Sequence, residues 1–190
     1  MGAAGSDAMT TDTALPTWTI DPVHSSVEFT LEHMQVATYR TGFRTIEGAL
    51  QLDPANLARA SVTASIPVES IDITNERFYS RLMDDDFFGA KAHPTITFRS
   101  TRVEPVDGSR YHVTGDLTIH GITRPVVLDT RYLGGGKSPF SGKTMAAFRA
   151  ETAIDRRDFG LTWNAQLDTG AAYLGERVHI TLLIEALRQD

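Results

Sequence analysis

The chain has 190 residues, of which 18 are basic and 24 acidic, so its formal net charge at pH 7 is −6. This length suits one domain with a substantial core, and the acidic balance argues against binding a nucleic acid backbone, which needs clustered Lys and Arg. The absence of cysteine excludes disulfides, thiolate metal sites and cysteine nucleophiles, and it fits a reducing compartment.

The first residues are small, polar and irregular, with neither the basic start nor the apolar run of a secretory signal. We interpret residues 1–17 as a disordered leader, in which residues 1–8 look added and Met9 is the native start. The expected location is then cytoplasmic, whereas trimming of a natural signal would make it periplasmic or secreted. No apolar run reaches the roughly 20 residues that cross a bilayer.

Apolar and polar residues alternate along most of the remaining chain, most clearly at residues 115–129. Successive side chains of a strand point to opposite faces, so each alternating stretch predicts a strand with one dry and one wet face. Turn residues at 53–54, 106–108 and 134–136 separate several of these stretches. The predicted strands are 27–31, 46–53, 61–66, 95–99, 111–120, 124–132, 148–154 and 178–184.

Residues 75–83 break the alternation, because Phe78 and Leu82 lie at the i, i+4 spacing of a helix. Asp72 or Thr74 is the expected N-cap. This short helix lies between the third and fourth predicted strands, so we expect it to cover one mouth of the sheet structure.

Eight amphipathic strands must bury their apolar faces, and a closed barrel does so without leaving an exposed sheet edge. We therefore predict an all-β protein, in which residues 18–187 form one extended, eight-stranded antiparallel barrel. A barrel of this size is either filled by its own side chains or holds one slim ligand.

Strand parity and the helix give candidate ligand-binding residues. The apolar side chains predicted to face the lumen are Phe29, Leu31, Ile46, Leu50, Ile96, Phe98, Leu117, Ile119, Phe148, Ile154, Ile180 and Leu182. Phe78, Leu82 and Phe87 are predicted to cover the mouth. His33, which continues the inward parity of its strand, and Arg81 are candidates for contact with a polar head group.

Motifs typical of catalysis or cofactor binding are incomplete. The loop at residues 134–144 contains Gly-Lys-Ser and Gly-Lys-Thr, but it lacks the first glycine of a P-loop and the helix that follows one. The six histidines lack the close spacing of zinc ligands. Structural ion pairs explain the charges at residues 155–158. We predict no cofactor, no metal and no catalytic residue; the enzyme alternative acts on a lipid-like substrate through His33, Asp155 or Asp158.

Six stretches, in order between Trp18 and Ala186, resemble the YceI-like, polyisoprenoid-binding family. They are residues 18–29, 70–72, 86–88, 94–100, 115–128 and 154–160. The resemblance implies a lipocalin-like, extended antiparallel barrel whose apolar interior binds a long isoprenoid chain, such as a quinone tail or a polyprenyl phosphate. It also implies that some members form dimers. Where the family has Thr, an Arg-Asp pair and His, this chain has Ile73, Phe78-Tyr79 and Arg81, so its helix is more aromatic.

The expected function is therefore the binding, carriage or sequestration of a long isoprenoid in the lumen, without catalysis, and a homodimer is a further expectation. Three alternatives stay open: a binder of fatty acids or other amphiphiles, a barrel enzyme, and a dimeric stress protein whose lumen is filled by its own side chains.

Overall fold

In a computed structural model, which describes residues 14–189, the chain forms a single antiparallel sheet that closes on itself. Its strands are β1 Thr17–Ile20, β2 Ser26–His33, β3 Ala37–Phe43, β4 Glu47–Gln51, β5 Ser61–Pro67, β6 Thr95–Asp107, β7 Arg110–Ile119, β8 Ile122–Lys137, β9 Thr144–Asp155 and β10 Leu174–Arg188. Strand β1 begins at the last residue of the range predicted as a leader, and residues 1–13 of that range lie outside the described residues.

These ten strands occupy eight positions around the barrel. Strands β1 and β2 both pair with β10 on one side, while on the other side β1 pairs with β4 and β2 with β3. Each of these two pairs, β1 with β2 and β3 with β4, is therefore one barrel strand broken in the middle. The ladder then runs from β4 through β5, β6, β7, β8 and β9 to β10, and the β1–β10 pairing closes it. The predicted eight-stranded antiparallel barrel is confirmed.

The break between β1 and β2 is fixed by a turn around Asp21. One carboxylate oxygen of Asp21 accepts a hydrogen bond from the backbone N–H of Val23 at 2.9 Å, and the other lies 2.8 Å from Nδ1 of His24. The hydroxyl of Ser25 accepts from the backbone N–H of Glu185 at 3.0 Å, which ties the turn to β10. Asp21 raises the pKa of His24, and the same hydrogen bond lowers the pKa of Asp21.

Two glycines in the strands have positional roles. A Cβ at Gly115 of β7 would lie 2.4 Å from Cζ of Phe98, so the glycine makes room for that ring on the neighbouring strand. Gly134 lies at a register shift in β8 with φ +106°, and β8 continues to Lys137. The predicted turn at residues 134–136 was wrong, because these glycines pair with β9 after a bulge between Tyr132 and Gly134, and the hairpin turn follows at residues 138–143.

The single α-helix among the described residues, α1, spans Glu76–Met83 between β5 and β6. Its N-cap is Asn75, whose side chain accepts a hydrogen bond from the backbone N–H of Phe78 at 2.9 Å. The predicted caps Asp72 and Thr74 were wrong; Asp72 instead pairs with Arg44 at 2.5 Å. Short 3₁₀ turns occur at Leu57–Arg59, Val68–Ser70 and Arg156–Phe159. No helix within residues 14–189 has the length and apolarity to cross a membrane.

The two ends of the barrel differ. Helix α1, the turns at 84–94 and the segment 156–173 all connect strands at the end where β5 ends and β6 begins, which we call the rim. At the other end, Trp18, Leu52 and Leu57 are buried, and Nε1 of Trp18 donates to the backbone oxygen of Leu52 at 3.1 Å. We therefore expect a ligand to enter the barrel at the rim.

Candidate functional site

The barrel encloses an apolar cavity of about 1060 Å³. This volume lies just above the range of roughly 300–1,000 Å³ that small-molecule sites usually occupy. The inward-facing residues of the strands form its wall, and side chains of α1 and of residues 87–88 complete it. The lumen is not filled by the protein's own side chains, which removes the alternative of a filled, purely structural barrel.

All the residues predicted for the lumen, the mouth and the head group lie in the wall of this cavity. They are Phe29, Leu31, His33, Ile46, Leu50, Phe78, Arg81, Leu82, Phe87, Ile96, Phe98, Leu117, Ile119, Phe148, Ile154, Ile180 and Leu182. Their position in the wall is a property of the fold, whereas their contact with a ligand stays a prediction.

A chain of aromatic rings runs along the rim, and we call it the rim cluster: Phe87, Trp163, Tyr173 and His33. Ring centroids are 4.9 Å apart between Phe87 and Trp163, and 6.2 Å apart between Trp163 and Tyr173. Tyr173 in turn contacts His33 edge to face at 4.6 Å. Sequence reasoning missed Trp163 and Tyr173, because their segment has no strand or helix periodicity; their aromatic character in a loop was the available signal.

Arg81 supports the rim cluster. Its guanidinium donates to Asp84 at 2.9 Å and to Asp86 at 2.5 Å, and it lies over the rings of Phe87 and Trp163 at 4.6 and 5.4 Å. The two carboxylates raise the pKa of Arg81, and Arg81 lowers the pKa of Asp86. Since its charge is already matched, Arg81 is better suited to hold the two rings in place than to bind an anion.

Arg156 is the functional candidate that the sequence interpretation missed. It is 6 % exposed, begins the 3₁₀ turn after β9 and lies in the cavity wall. Residues 148, 150, 152 and 154 of β9 line the cavity, and residue 156 continues the same parity. That continuation was the available signal, but the four charges at 155–158 were interpreted together as surface ion pairs.

The carboxylates named in the enzyme alternative lie apart from the cavity. Asp155 faces away from the wall formed by its neighbours Ile154 and Arg156, and its carboxylate accepts from Arg157 at 2.6 Å. The hydrogen bonds from Arg157 lower the pKa of Asp155 to about 2. Asp158 is exposed and is not part of the cavity wall either. His33 therefore has neither of these carboxylates as a neighbour inside the cavity.

Among the described residues, three metal-ligating side chains come together at one place: Asp21, His24 and Glu185. Nδ1 of His24 lies 2.8 Å from Asp21 and 4.0 Å from Glu185. The group sits at the break between β1 and β2, and none of its members lines the cavity. The turn and the ion pair account for the arrangement without a metal.

Comparison with known sequences identifies the family. A sequence model of the YceI-like domain matches residues 18–186. The chain belongs to the YceI-like family. It is 30% identical over 157 residues to a UPF0312 protein of Vibrio cholerae, and the match covers 83% of this chain and 80% of that protein. The family prediction made from the sequence is confirmed.

Two solved structures share the fold. Burkholderia cenocepacia BcnA superposes with a TM-score of 0.76 at 25% sequence identity, covering 87% of this chain and 98% of that one. A polyisoprenoid-binding domain from Saccharophagus degradans, implicated in plant cell wall breakdown, superposes with a TM-score of 0.63 at 14% identity, covering 90% of this chain and 98% of that one. At 14% identity, the likeness to the Saccharophagus degradans domain shows a shared fold.

Proposed function

We propose that this YceI-like protein binds the chain of a long isoprenoid lipid in its barrel cavity and carries or sequesters it. The observation that carries the proposal is the apolar cavity of about 1060 Å³ inside a closed barrel. The wall consists of inward strand residues held by the β ladder, so the site is formed before any ligand enters. A preformed site lowers the cost of ordering on binding.

The energetics favour a long apolar chain. Each buried CH₂ contributes about 0.8 kcal/mol, so burial of about 20 carbons gains roughly 16 kcal/mol. That gain exceeds an association cost of roughly 4–15 kcal/mol. The Saccharophagus degradans domain, which is described as polyisoprenoid-binding, has the same fold and supports an isoprenoid as the first ligand to test.

Binding is a better description than catalysis. His33 lies in the cavity wall and contacts Tyr173 edge to face, whereas Asp155 and Asp158 lie outside that wall. General acid–base chemistry needs its groups within hydrogen-bond reach of one reacting atom. The three residues of the enzyme alternative do not meet this condition.

A fatty acid or another amphiphile is the second candidate, because Arg156 places a cation in the same apolar wall. A carboxylate at the end of an alkyl chain is a chemically reasonable partner for a guanidinium.

Native mass spectrometry of the purified protein, combined with organic extraction and identification of what is released, tests the proposal. We expect one prenylated compound per barrel in the loaded fraction. Release of fatty acids alone would favour the second candidate. Failure to load with any isoprenoid after delipidation would contradict the proposed function.

Homodimer formation and a cytoplasmic location remain predictions. Light scattering coupled to size-exclusion chromatography tests the first, and fractionation of cells that express the native gene tests the second.

A further inference from the structure

The cavity wall contains one deeply buried cation among the described residues, Arg156. Its side chain is 6 % exposed, and it follows the inward-facing Ile154 at the point where β9 gives way to a 3₁₀ turn. Burial lowers the pKa of Arg156, but a guanidinium stays charged over the pH range in which proteins fold. The wall of the apolar cavity therefore carries a fixed positive charge at Arg156.

The hydrogen bonds of Arg156 occupy only part of its guanidinium. Nε donates to the backbone oxygen of Gly175 at 2.9 Å, and Nη1 donates to the backbone oxygens of Trp163 at 2.9 Å and of Leu161. Nη2 has no acceptor within residues 14–189, although it carries two N–H groups. These three carbonyl oxygens hold the planar guanidinium in one orientation, so the direction of the two Nη2 N–H groups is fixed.

No carboxylate of the described chain forms an ion pair with Arg156. The nearby acids, Asp155 and Glu176, both pair with Arg157, at 2.6 and 2.7 Å. Nη2 keeps accessible surface, so a ligand oxygen in the cavity can reach it and accept its hydrogen bonds. The rim also offers Arg81, but that guanidinium is already bound to two aspartates.

We propose that Arg156 binds an oxygen of the ligand's head group through Nη2, while the isoprenoid chain extends into the barrel. This inference rests on the proposed function, because it assigns the head-group contact within the same cavity. It moves that contact from Arg81 to Arg156.

The surrounding charges favour an uncharged acceptor, such as the carbonyl of a prenylated quinone. Arg156 and Arg157 face the three carboxylates of Asp155, Asp158 and Glu176, so acidic groups outnumber basic ones at this end of β9 and β10. A phosphate would add further negative charge there, inside an apolar cavity where such charge is poorly solvated. A carbonyl accepts the same hydrogen bonds without that penalty.

The test compares three probes on delipidated protein: a prenylated benzoquinone, the hydrocarbon with the same prenyl chain, and the corresponding prenyl monophosphate. Affinities are measured for the wild type, for Arg156→Lys and for Arg157→Lys as the exposed neighbouring control. We expect the wild type to bind the quinone more tightly than the other two probes. Arg156→Lys is expected to weaken quinone binding roughly tenfold and to leave hydrocarbon binding unchanged.

Arg157→Lys is expected to change neither affinity. An equal loss of quinone and hydrocarbon binding in Arg156→Lys would show that Arg156 only supports the fold, and no loss would show that it does not touch the head group. Tighter binding of the phosphate by the wild type would overturn the uncharged head group. If Arg156→Lys does not fold, the wild type still tests the head-group contact, because equal affinity for the quinone and the hydrocarbon would contradict it. A wild type that binds none of the probes would instead contradict the proposed function itself.

Discussion

Phe78, in the first turn of α1, packs edge to face against Tyr39 of β3, with their ring centroids 5.9 Å apart. Phe78 is 39 % exposed although it lines the cavity, so it lies where the cavity meets the solvent. Leu82, one helical turn further, is 8 % exposed and belongs to the buried wall. Helix α1 therefore has two roles: Phe78 contacts the opening of the cavity at the rim, and Leu82 packs in the buried wall.

Phe78→Ala is expected to weaken isoprenoid affinity by roughly tenfold through lost apolar contact, with little change in stability. Leu82→Ala is the matched variant, and it is expected to lower the free energy of unfolding by about 2–5 kcal/mol. Ligand titration and thermal unfolding on the same preparations check both. The distinction between the roles would be wrong if Phe78→Ala destabilised the protein as much as Leu82→Ala.

Strand parity was the part of the structure that could be predicted from the sequence. It is a local property, since the face on which Leu117 or Ile180 lies depends on alternation with immediate neighbours and on little else. The luminal positions and the confirmed barrel both follow from it. Strand β3 was missed because residues 37–43 contain polar residues at inward positions, such as Thr41, and a glycine near the end.

Contacts between distant parts of the chain could not be predicted in this way. His120 was predicted as the last residue of a strand, yet its φ of +52° starts the β7–β8 turn and its ring centroid lies 4.9 Å from that of His93. The approach of Trp163 to Phe87 depends likewise on where a loop crosses the rim. Arg156 depends on both kinds of information. Its inward parity could be predicted from the sequence, whereas the carbonyl oxygens that orient its side chain come from residues 161–175.

The register of β6 predicts opposite outcomes for two adjacent residues. Phe98 is half-buried and its ring packs against Gly115, whereas Thr97, with the opposite parity, is exposed. Phe98→Asp places a carboxylate without a partner in the apolar wall and is expected to cost roughly 4 kcal/mol or more, whereas Thr97→Asp is expected to change stability by about 0.5 kcal/mol or less. Chemical denaturation monitored by circular dichroism measures both, and similar losses in the two variants would show the register to be wrong.

The ion pair between Asp155 and Arg157 predicts an acid-dependent loss of stability. The pKa of Asp155 is about 2 in the folded chain, below its ordinary value of about 3.9, so the stabilisation is present above about pH 4 and is lost as the pH falls towards 2. Asp155→Asn removes this contribution but keeps a side chain that can cap the 3₁₀ turn.

Melting temperatures of the wild type and of Asp155→Asn are therefore expected to differ at neutral pH and to converge as the pH is lowered through this window. Asp168→Asn, an exposed substitution in the loop before β10, serves as a control for the loss of one carboxylate. A difference between wild type and Asp155→Asn that persisted unchanged at low pH would contradict the assigned role of the ion pair.

The most direct test of isoprenoid binding inside the barrel is a substitution that fills the cavity with a large side chain. Ala150 faces the lumen midway along β9, where it is paired with Leu182 and Thr130, whereas Ala147 has the opposite parity and is not part of the wall. Isoprenoid binding is measured by native mass spectrometry for the wild type, Ala150→Trp and the control Ala147→Trp. We predict one bound chain per barrel in the wild type and in Ala147→Trp, and loss of binding in a folded Ala150→Trp; undiminished binding by Ala150→Trp would contradict a ligand site inside the barrel.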